Sequence, residues 1–341
     1  MQEIKIFPLL RDVSVVIPAY NAENFIIDAL ESIARQTYFP KEVIVINDGS
    51  SDRTYQTVQE WIAGKQLNCP IHLYTQDNRG ISATRNMGIQ RSAGEWVAFL
   101  DADDIWEPSH LEQLITAAEL VPSAIAAYGA GRLLVSGTLQ DVLYDDFWDN
   151  PSRKFGKQIG SSSYFRIDST IFPRLIKGNF IKPSSLMISR TLANEIGLFS
   201  VELSTAEDRE FLVRLIRKGE FIYCSLPITQ YRWHEDNASQ TKNSKRNVEN
   251  GLRALKLIFE NKNLGLTGDE VKACRMEVEG ATNEFLYICC QEGLREYLIG
   301  LRMIKRLFGL SSALIALNLK HVARSFISGF SLLRSQAVNP H

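Results

Sequence analysis

Short apolar runs alternate with segments of helical periodicity along the first hundred residues of the chain. The runs predict strands at 13–18, 42–47, 71–74 and 96–100, and the periodic segments predict helices at 22–36, after residue 52 and at 80–91. Continuous apolar runs of this length are typical of strands buried on both faces. The alternation therefore predicts an α/β fold with a mostly parallel sheet flanked by helices. In such sheets ligands bind beyond the carboxyl ends of the strands.

The pattern changes after Pro108. In chain order it predicts a helix at 109–120, a strand at 124–136, an irregular polar and aromatic stretch at 140–170, a strand at 184–189, a helix at 205–218, strand-like pieces at 221–232 and helices from about 244 onward. Long irregular stretches inside a compact domain are usually functional or mobile. The chain is therefore expected to end in a helical region that differs from the sheet-containing part.

Composition narrows the class of protein. The 341 residues carry 38 Lys and Arg against 39 Asp and Glu, a net charge of −1, and 45% of them are apolar. This composition excludes a disordered, collagenous or disulfide-stapled chain. The near-neutral charge argues against a protein whose whole surface attracts nucleic acid or anionic lipid, and no nucleic-acid partner is expected. The five Cys residues form no C-x-x-C pair, and the sequence shows neither a signal peptide nor an apolar run of about 18 residues. We therefore expect a cytoplasmic protein.

An acidic cluster, Asp101-Ala102-Asp103-Asp104, directly follows the predicted strand 96–100. Neighbouring carboxylates repel one another, and a divalent cation shared with phosphate oxygens would compensate that repulsion. An acidic turn beside a helix N-terminus is the structural alternative. A calcium loop of the EF-hand type is excluded, because Trp106 stands where that loop needs Gly. A phosphotransferase with an aspartate nucleophile also carries a D-x-D motif after a strand. That strand is normally the first of its domain, whereas three predicted strands precede the motif here.

Polar residues also follow the first three predicted strands. Tyr20 is placed to stack on a base, and Asp48 to accept an N–H from one, although Asp48-Gly49 also fits an ordinary tight turn. Arg79 and Arg85 carry guanidinium groups suited to a base or a diphosphate. The sequence contains neither G-x-G-x-x-G nor G-x-x-x-x-G-K-[ST], which disfavours a dinucleotide site and excludes a P-loop.

Two later motifs add candidate chemistry. Glu207-Asp208 stands near the start of a predicted helix, where acidic residues are favoured by the helix dipole and where one could serve as a catalytic base. Arg232 and His234 follow a strand-like segment, as a candidate phosphate clamp and a candidate metal ligand or phosphate donor.

Seven segments in order resemble the motifs of glycosyltransferase family 2, whose members have the GT-A fold. The segments are VSVVIPAYN, VIVINDGSSD, NRGISATRNMGI, GEWVAFLDADD, GNFIKPSSLMISR, EIGLFSVELSTAEDREFLVRL and YRWHEDNAS, which together cover about residues 12–240. The resemblance implies an enzyme that transfers a sugar from a nucleotide-sugar, most often a UDP-sugar, to a hydroxyl of a glycan or lipid-linked acceptor with inversion. It also implies Mn²⁺ or Mg²⁺ as the cofactor and a role in cell-surface polysaccharide synthesis.

The resemblance implies a role for each candidate residue. Those expected to bind the nucleotide-sugar are Pro18, Ala19, Tyr20, Asp48, Arg79, Arg85, Asp101, Ala102 and Asp103. Asp103 and His234 are the expected metal ligands, with Asp104 as a further candidate, and Arg232 is a candidate contact to the diphosphate. Asp208 is the expected general base, with Glu207 beside it. A non-catalytic nucleotide-sugar-binding or assembly module of the same fold is the alternative.

The resemblance divides the chain into a GT-A domain at 1–240 and a helical extension at 241–341. Within the domain, a nucleotide-binding half at about 12–110 precedes an acceptor half at about 111–240.

The last 45 residues form a distinct stretch of the extension. Residues 297–341 contain six Lys or Arg and no Asp or Glu, which leaves a charge of −7 on residues 1–296. Their apolar positions from Ile315 to Leu333 follow one helix face. This basic amphipathic pattern predicts peripheral contact with an anionic membrane at the cytoplasmic face, or packing on the catalytic domain or a partner subunit.

Overall fold

The computed structural model describes residues 12–65, 67–235, 237, 240–317, 321 and 325. The chain divides into two compact units, Met1–Glu235 and Asp236–His341. The first unit contains the sheet, and the second is helical in the part that the structure describes.

One sheet runs through the first unit. Within the described residues its strands are β1 (Val13–Ala19), β2 (Glu42–Asp48), β3 (Ile71–Gln76), β4 (Trp96–Phe99), β5 (Ile105–Trp106), β6 (Ala124–Val135), β7 (Thr138–Leu143), β8 (Lys157–Gln158), β9 (Tyr164–Ile167), β10 (Leu186–Ser189) and β11 (Glu220–Trp233). The main order is β3-β2-β1-β4-β10-β6-β11-β9-β8, with β5 paired to β11 and β7 to β6.

The strands β3, β2, β1 and β4 are parallel, which confirms the prediction from the alternating pattern. Every residue of β1, β2 and β4 is buried, as expected for strands covered on both faces. Helix α3 (Ile81–Arg91) packs so closely on β1 that a Cβ at Gly88 would lie 2.2 Å from a methyl group of Val16. The carboxyl ends of β1, β2 and β4 therefore meet at one edge of the sheet.

The sheet is mixed beyond β4. Strand β10 lies antiparallel between β4 and β6, and β6 is parallel to β11. The short strand β5, which directly follows the acidic cluster, pairs antiparallel with β11 through Gln230 and Thr229. This pairing ties residues 101–106 to the end of β11 and brings the acidic cluster to Arg232 and His234.

Helices cover the sheet. In the described part of the first unit they are α1 (Ile26–Ala34), α2 (Thr54–Gly64), α3, α4 (His110–Leu120), α5 (Pro151–Phe155), α6 (Phe172–Leu175), α7 (Arg190–Glu195) and α8 (Glu207–Leu215). The core between α1, α4 and the sheet contains residues such as Ile17, Leu30, Val45 and Leu114, all at most 1% exposed. The predicted α/β architecture is thus confirmed.

Residues 140–170 are more regular than their sequence pattern indicates. They contain the end of β7, a 3-10 helix at Tyr144–Trp148, α5, β8 and β9. These elements are two to six residues long, and no hydrophobic period can be detected over so few positions. Tertiary contacts therefore decide the local structure of this stretch.

The second unit has its own hydrophobic core. Its described helices are α9 (Ser244–Glu260), α10 (Gly268–Gln291), α11 (Leu294–Phe308) and α12 (Leu310–Ile315). Leu252, Leu286, Cys289, Tyr297 and Ile304 pack together at its centre with no exposed surface.

No helix of the described residues is long and apolar enough to cross a membrane. The predicted amphipathic face from Ile315 to Leu333 falls almost wholly on residues outside those described.

Candidate active site

The candidate residues of the first strand lie at the carboxyl edge of the sheet. Pro18 and Ala19 are the last two residues of β1 and are buried. Tyr20 directly follows them and is 52% exposed, so its ring is open to a ligand. The main chain of Ala22 and of Glu23 is anchored to the loop after β2 by hydrogen bonds to Thr54 and Asp52. The ends of β1 and β2 thus form one rigid surface.

Asp48 braces the entry to α3. Its Oδ1 accepts hydrogen bonds from the Gln76 side chain at 2.7 Å and from the Arg79 main-chain N–H at 2.9 Å, and its Oδ2 accepts one from the Gly80 N–H at 2.9 Å. The carboxylate is 3% exposed. The structure therefore gives Asp48 a bracing role that the sequence did not indicate, while the Arg79 side chain is exposed. Their predicted contacts to the nucleotide-sugar stay predictions.

Arg85 joins the two halves of the candidate site. Its Nη2 donates to Asp101 Oδ1 at 2.8 Å, and its Nη1 donates to Glu207 Oε1 at 2.6 Å. The guanidinium is 3% exposed and lies over the ring of Phe199, 5.7 Å from the ring centre. Burial alone would lower the pKa of Arg85, but Asp101 and Glu207 outweigh it and raise that pKa above its ordinary value. Arg85 is therefore a fixed positive charge between two carboxylates.

The three carboxylates of the acidic cluster have different surroundings. Asp101 pairs with Arg85, and its main-chain N–H donates to the Ser184 hydroxyl at 3.1 Å. Asp104 is 8% exposed, and its two oxygens accept from the Ser184 hydroxyl at 2.5 Å and the Arg232 main-chain N–H at 3.0 Å. Burial, together with Asp103 and Asp101, raises the pKa of Asp104 well above its ordinary value. Asp104 thus holds the loop, whereas Asp101 and Asp103 are both partly exposed, at 27% and 28%.

Asp103 and His234 lie side by side. His234 Nε2 is 3.0 Å from Asp103 Oδ2, and the imidazole packs on Phe25 with the ring centres 4.5 Å apart. Among the described residues no group of three or more His, Cys, Asp or Glu could hold a metal ion. One carboxylate and one imidazole fit a cation whose other ligands come from a substrate diphosphate and water, because such cations take few ligands from the protein.

Arg232 connects three segments. Its Nη2 donates to Asp28 of α1 at 2.6 Å, its Nε donates to the Asp103 carbonyl at 3.0 Å, and its guanidinium lies over Phe25 at 5.3 Å. These contacts make Arg232 a brace between α1, the acidic cluster and β11. A contact from Arg232 to a diphosphate stays a prediction.

Glu207 and Asp208 begin α8. Ala206, the residue before them, has a φ of +63°, a left-handed conformation that non-glycine residues adopt rarely and that costs free energy. Glu207 is 6% exposed, and burial together with the neighbouring Asp208 raises its pKa to about 7 against the opposing effect of Arg85. The half-buried Asp208 accepts a hydrogen bond from the Asn179 side chain on Oδ2 and from the Arg209 N–H on Oδ1.

Three residues of the site were not singled out from the sequence. Asn179 holds Asp208, Ser184 links Asp101 to Asp104, and Lys182 lies 5.0 Å from the ring centre of Tyr144. Burial lowers the pKa of Lys182, but Tyr144 and the Asp208 carboxylate outweigh it and raise that pKa. All three stand in the segment GNFIKPSS, which resembles a motif of glycosyltransferase family 2. The sequence does not indicate which of its polar residues face the site.

Comparison with known proteins gives both a family and a fold. Residues 14–157 match the model of a protein family described as "Glycosyl transferase family 2". An uncharacterised glycosyltransferase of Rickettsia typhi is 27% identical over 274 residues, which are 80% of this chain and 77% of the relative. Bacillus subtilis TuaG, named for teichuronic acid biosynthesis, is 26% identical over 67% of this chain and 82% of its own.

Two solved structures share the fold. Residues 1–349 of Staphylococcus aureus TarS align over 87% of this chain and 81% of that one, with a TM-score of 0.59 and 21% identity. The mannosyltransferase PcManGT of Pyrobaculum calidifontis, solved with GDP-Man and Mn²⁺, aligns over 94% of this chain and 84% of its own, with a TM-score of 0.58 and 16% identity. TarS has also been solved with UDP-GlcNAc.

Proposed function

Because this chain is a glycosyltransferase with a family 2 domain on a GT-A fold, we propose that it moves a sugar from a nucleotide-sugar donor to a hydroxyl group of a glycan or lipid-linked acceptor, with inversion. The double ion pair of Arg85 carries this proposal. Asp101 belongs to the candidate donor side and Glu207 stands beside the candidate base, and one buried guanidinium holds both. Burying an ionised guanidinium is costly unless it is paired, and the two carboxylates that pair with Arg85 come from the two sides of the candidate site.

Asp208 acts as the general base in this proposal. Its carboxylate removes the proton from the acceptor hydroxyl as that oxygen attacks the anomeric carbon, and Asn179 fixes the carboxylate's orientation. Attack from the face opposite the leaving diphosphate forms no covalent intermediate and inverts the anomeric centre. Glu207, paired with Arg85, keeps the start of α8 in place beside the donor.

Asp103 and His234 would hold a divalent cation, Mn²⁺ or Mg²⁺, in this proposal. A bound cation supplies charge stabilisation for the diphosphate leaving group. The 3.0 Å separation of Asp103 Oδ2 and His234 Nε2 supports a role for these two residues as a pair. The Mn²⁺ in the PcManGT structure supports the same class of cofactor.

The donor and the pathway are proposed at the level of class. The structure of TarS with UDP-GlcNAc and the name of TuaG favour a UDP-sugar and a role in cell-envelope polysaccharide synthesis. The exposed ring of Tyr20 and the edge formed by Pro18, Ala19 and Ala102 would contact the nucleoside and sugar, together with Asp48 and Arg79.

We also propose that the basic C-terminal stretch 297–341 brings the enzyme to an anionic membrane surface at the cytoplasmic face. In the described part of this stretch, Leu298 and Ile299 are 47% and 45% exposed on α11, and Arg302, Lys305 and Arg306 are exposed beside them. A helix face that combines exposed apolar side chains with cations suits the interface of an anionic bilayer.

Replacing Asp208 by Asn tests the proposed reaction. Asp208→Asn keeps the shape and can still accept from Asn179 through its single carbonyl oxygen, at the expense of the Arg209 N–H bond, but it cannot take the proton, so transfer should fall by roughly 10²-fold to 10⁴-fold. Binding of the nucleotide-sugar with Mn²⁺, measured by thermal shift over a panel of UDP-, GDP- and dTDP-sugars, should stay close to that of the unchanged protein. Transfer above about a tenth of the original rate would contradict the base assignment.

A matched variant separates the base from its neighbours. Asp12 is an exposed carboxylate that precedes β1, at the end of the strand opposite the candidate site, and Asp12→Asn should leave transfer unchanged. An acyl phosphate trapped on Asp101 would contradict the transferase proposal, because it would identify an aspartate nucleophile. If the panel binds but no acceptor is glycosylated by the unchanged protein, the non-catalytic alternative is supported.

A further inference from the structure

Three large aromatic side chains are exposed close together in sequence. Phe147 is 64% exposed, Trp148 39% and Phe155 44%. We call these three residues the aromatic shelf. Isolated exposed apolar residues are normal, whereas larger exposed apolar patches mark interaction sites, so three exposed rings within nine residues are a candidate for one. No other part of the proposed reaction uses these rings.

The rings of Trp148 and Phe155 each contact a residue of the segment 174–178. A Cβ at Gly178 would lie 2.2 Å from Cζ3 of Trp148, so the indole rests directly against the main chain there. The Phe155 ring stacks with the guanidinium of Arg174, 4.8 Å from the ring centre. The Gly178 N–H donates to the Arg174 carbonyl at 3.2 Å, which closes a turn between the two residues that the rings contact.

This turn leads straight to the candidate base. The residue after Gly178 is Asn179, whose side chain donates to Asp208, and consecutive Cα atoms are about 3.8 Å apart. The 3-10 helix that carries Trp148 begins at Tyr144, whose ring lies 5.0 Å from Lys182 Nζ. Both ends of that short helix therefore contact the segment 178–182, which borders Asp208.

We propose that the aromatic shelf binds the acceptor glycan, with the C–H face of a pyranose ring stacked on Trp148 and a hydroxyl group directed to Asp208. This inference rests on the proposed function, because it identifies the substrate whose proton Asp208 removes. A sugar ring has an apolar face of C–H groups bordered by hydroxyls, which matches an exposed aromatic ring beside polar side chains. The donor is not the occupant, since its candidate ligands follow β1, β2 and β4.

The probes are the methyl glycosides of glucose, N-acetylglucosamine, galactose, N-acetylgalactosamine, mannose, rhamnose and glucuronic acid. Each is titrated into the full chain with UDP and Mn²⁺ present, and binding is measured by ligand-observed saturation-transfer NMR. Incorporation of 5-fluorotryptophan gives a fluorine signal for each of the five Trp residues, and the signal missing in Trp148→Phe belongs to Trp148. We expect at least one glycoside to shift that signal selectively.

Three variants test the contact itself. Trp148→Leu should weaken binding of that glycoside by at least about fivefold, and Trp148→Phe, which keeps an aromatic face, should weaken it less. The matched control is Phe39→Ala, which removes an aromatic ring that is 49% exposed and precedes β2 at the opposite edge of the sheet. It should leave glycoside binding unchanged. Thermal melting of each variant confirms that it is folded.

The outcomes separate the two proposals. If no glycoside shifts the Trp148 signal up to about 100 mM, a concentration at which even millimolar affinity saturates, the shelf proposal is overturned. Equal glycoside affinity in Trp148→Leu and the unchanged protein also overturns it. If instead no UDP-, GDP- or dTDP-sugar binds in the thermal-shift panel, the proposed function fails, whatever the glycosides do.

Discussion

At the scale of single residues, Asp145 is a carboxylate that the fold buries without a full set of partners. It is 2% exposed, and among the residues that the structure describes its Oδ2 has no hydrogen-bond partner. Burial raises the pKa of Asp145 to about 7, with Asp146 adding to the effect and Arg153 opposing it. Because the folded protein holds this proton more tightly than the unfolded chain, ionisation of Asp145 costs stability as pH rises towards 7.

Asp145→Asn should therefore remove the loss of folding stability that ionisation of Asp145 causes as the pH rises. Below about pH 4 both the folded and the unfolded protein carry the proton, and above about pH 7 the full cost is present. The quantity to compare is the free energy of unfolding of the variant minus that of the unchanged protein, measured with urea. We expect this difference to be larger at pH 8 than at pH 5 by roughly 2 kcal/mol. Asp141→Asn, at an exposed position nearby, should show no such trend. If the difference in stability between the two proteins did not change with pH, the raised pKa of Asp145 would be refuted.

The acidic cluster shows which residue roles the sequence can supply. The strand that ends before Asp101 is predictable from its apolar run, so the position of the cluster at the sheet edge follows from the pattern. The different roles of the three carboxylates do not follow from the pattern. They depend on contacts to Ser184 and Arg232, which stand about 80 and 128 residues further along the chain. Asp104 was open as a metal ligand in the sequence, whereas its two oxygens are engaged within the protein.

At the scale of elements, the turn between β2 and α2 fits the start of α3 closely. Gly49 has a φ of +68°, and a Cβ there would lie 2.7 Å from the main-chain nitrogen of Asn78. Asp48, the residue before it, accepts hydrogen bonds from the N–H groups of Arg79 and Gly80. Position 49 therefore requires glycine for two reasons: its positive φ disfavours other residues, and there is no space for a side chain beside Asn78.

Gly49→Ala should destabilise the first unit by about 1–3 kcal/mol, because the alanine is strained in this conformation and displaces the loop that Asp48 holds. Nucleotide-sugar binding should weaken as well. Gly64→Ala, at the end of α2 with no atom within 4 Å of its Cβ, is the matched control and should be neutral or slightly stabilising. Equal melting temperatures for both variants would show that the loop tolerates a side chain.

The elements that sequence patterns predicted best are those that are long and strongly apolar. The strands β1, β2 and β4 and the helix α3 match the predicted positions within a few residues. The antiparallel insertion of β10 between β4 and β6 was not predicted, since a four-residue strand carries no information about its neighbours. The short elements around Trp148 were missed for the same reason.

At the scale of the whole molecule, charge is distributed unevenly along the chain. Residues 297–341 carry +6 and residues 1–296 carry −7, although the total is only −1. Attraction between a basic helix face and anionic lipids is screened by salt and falls off over about 10 Å at 0.1 M ionic strength. Membrane contact of the proposed kind should therefore depend on salt.

Neutralising the exposed cations of α11 tests this contact. Arg302→Gln, Lys305→Gln and Arg306→Gln combined should reduce sedimentation with vesicles rich in phosphatidylglycerol by about tenfold or more, since each cation near such a surface contributes about 1 kcal/mol. The matched control removes the same charge from three exposed positions elsewhere in the second unit, with Gln at Lys262, Lys272 and Arg275. Equal loss in both variants would point to net charge alone, and no loss in either would contradict the membrane proposal.

The ion pairs of Arg85 have a consequence for how this site can change during evolution. Loss of Arg85 would leave the buried Glu207 and the partly exposed Asp101 without their counter-ion, and loss of either acid would leave the guanidinium underpaired. Substitutions at the three positions are therefore epistatic, and a change tolerated in one background is harmful in another. Lineages that alter the donor side through Asp101 must adjust α8 as well, so the two substrate specificities are expected to diverge together.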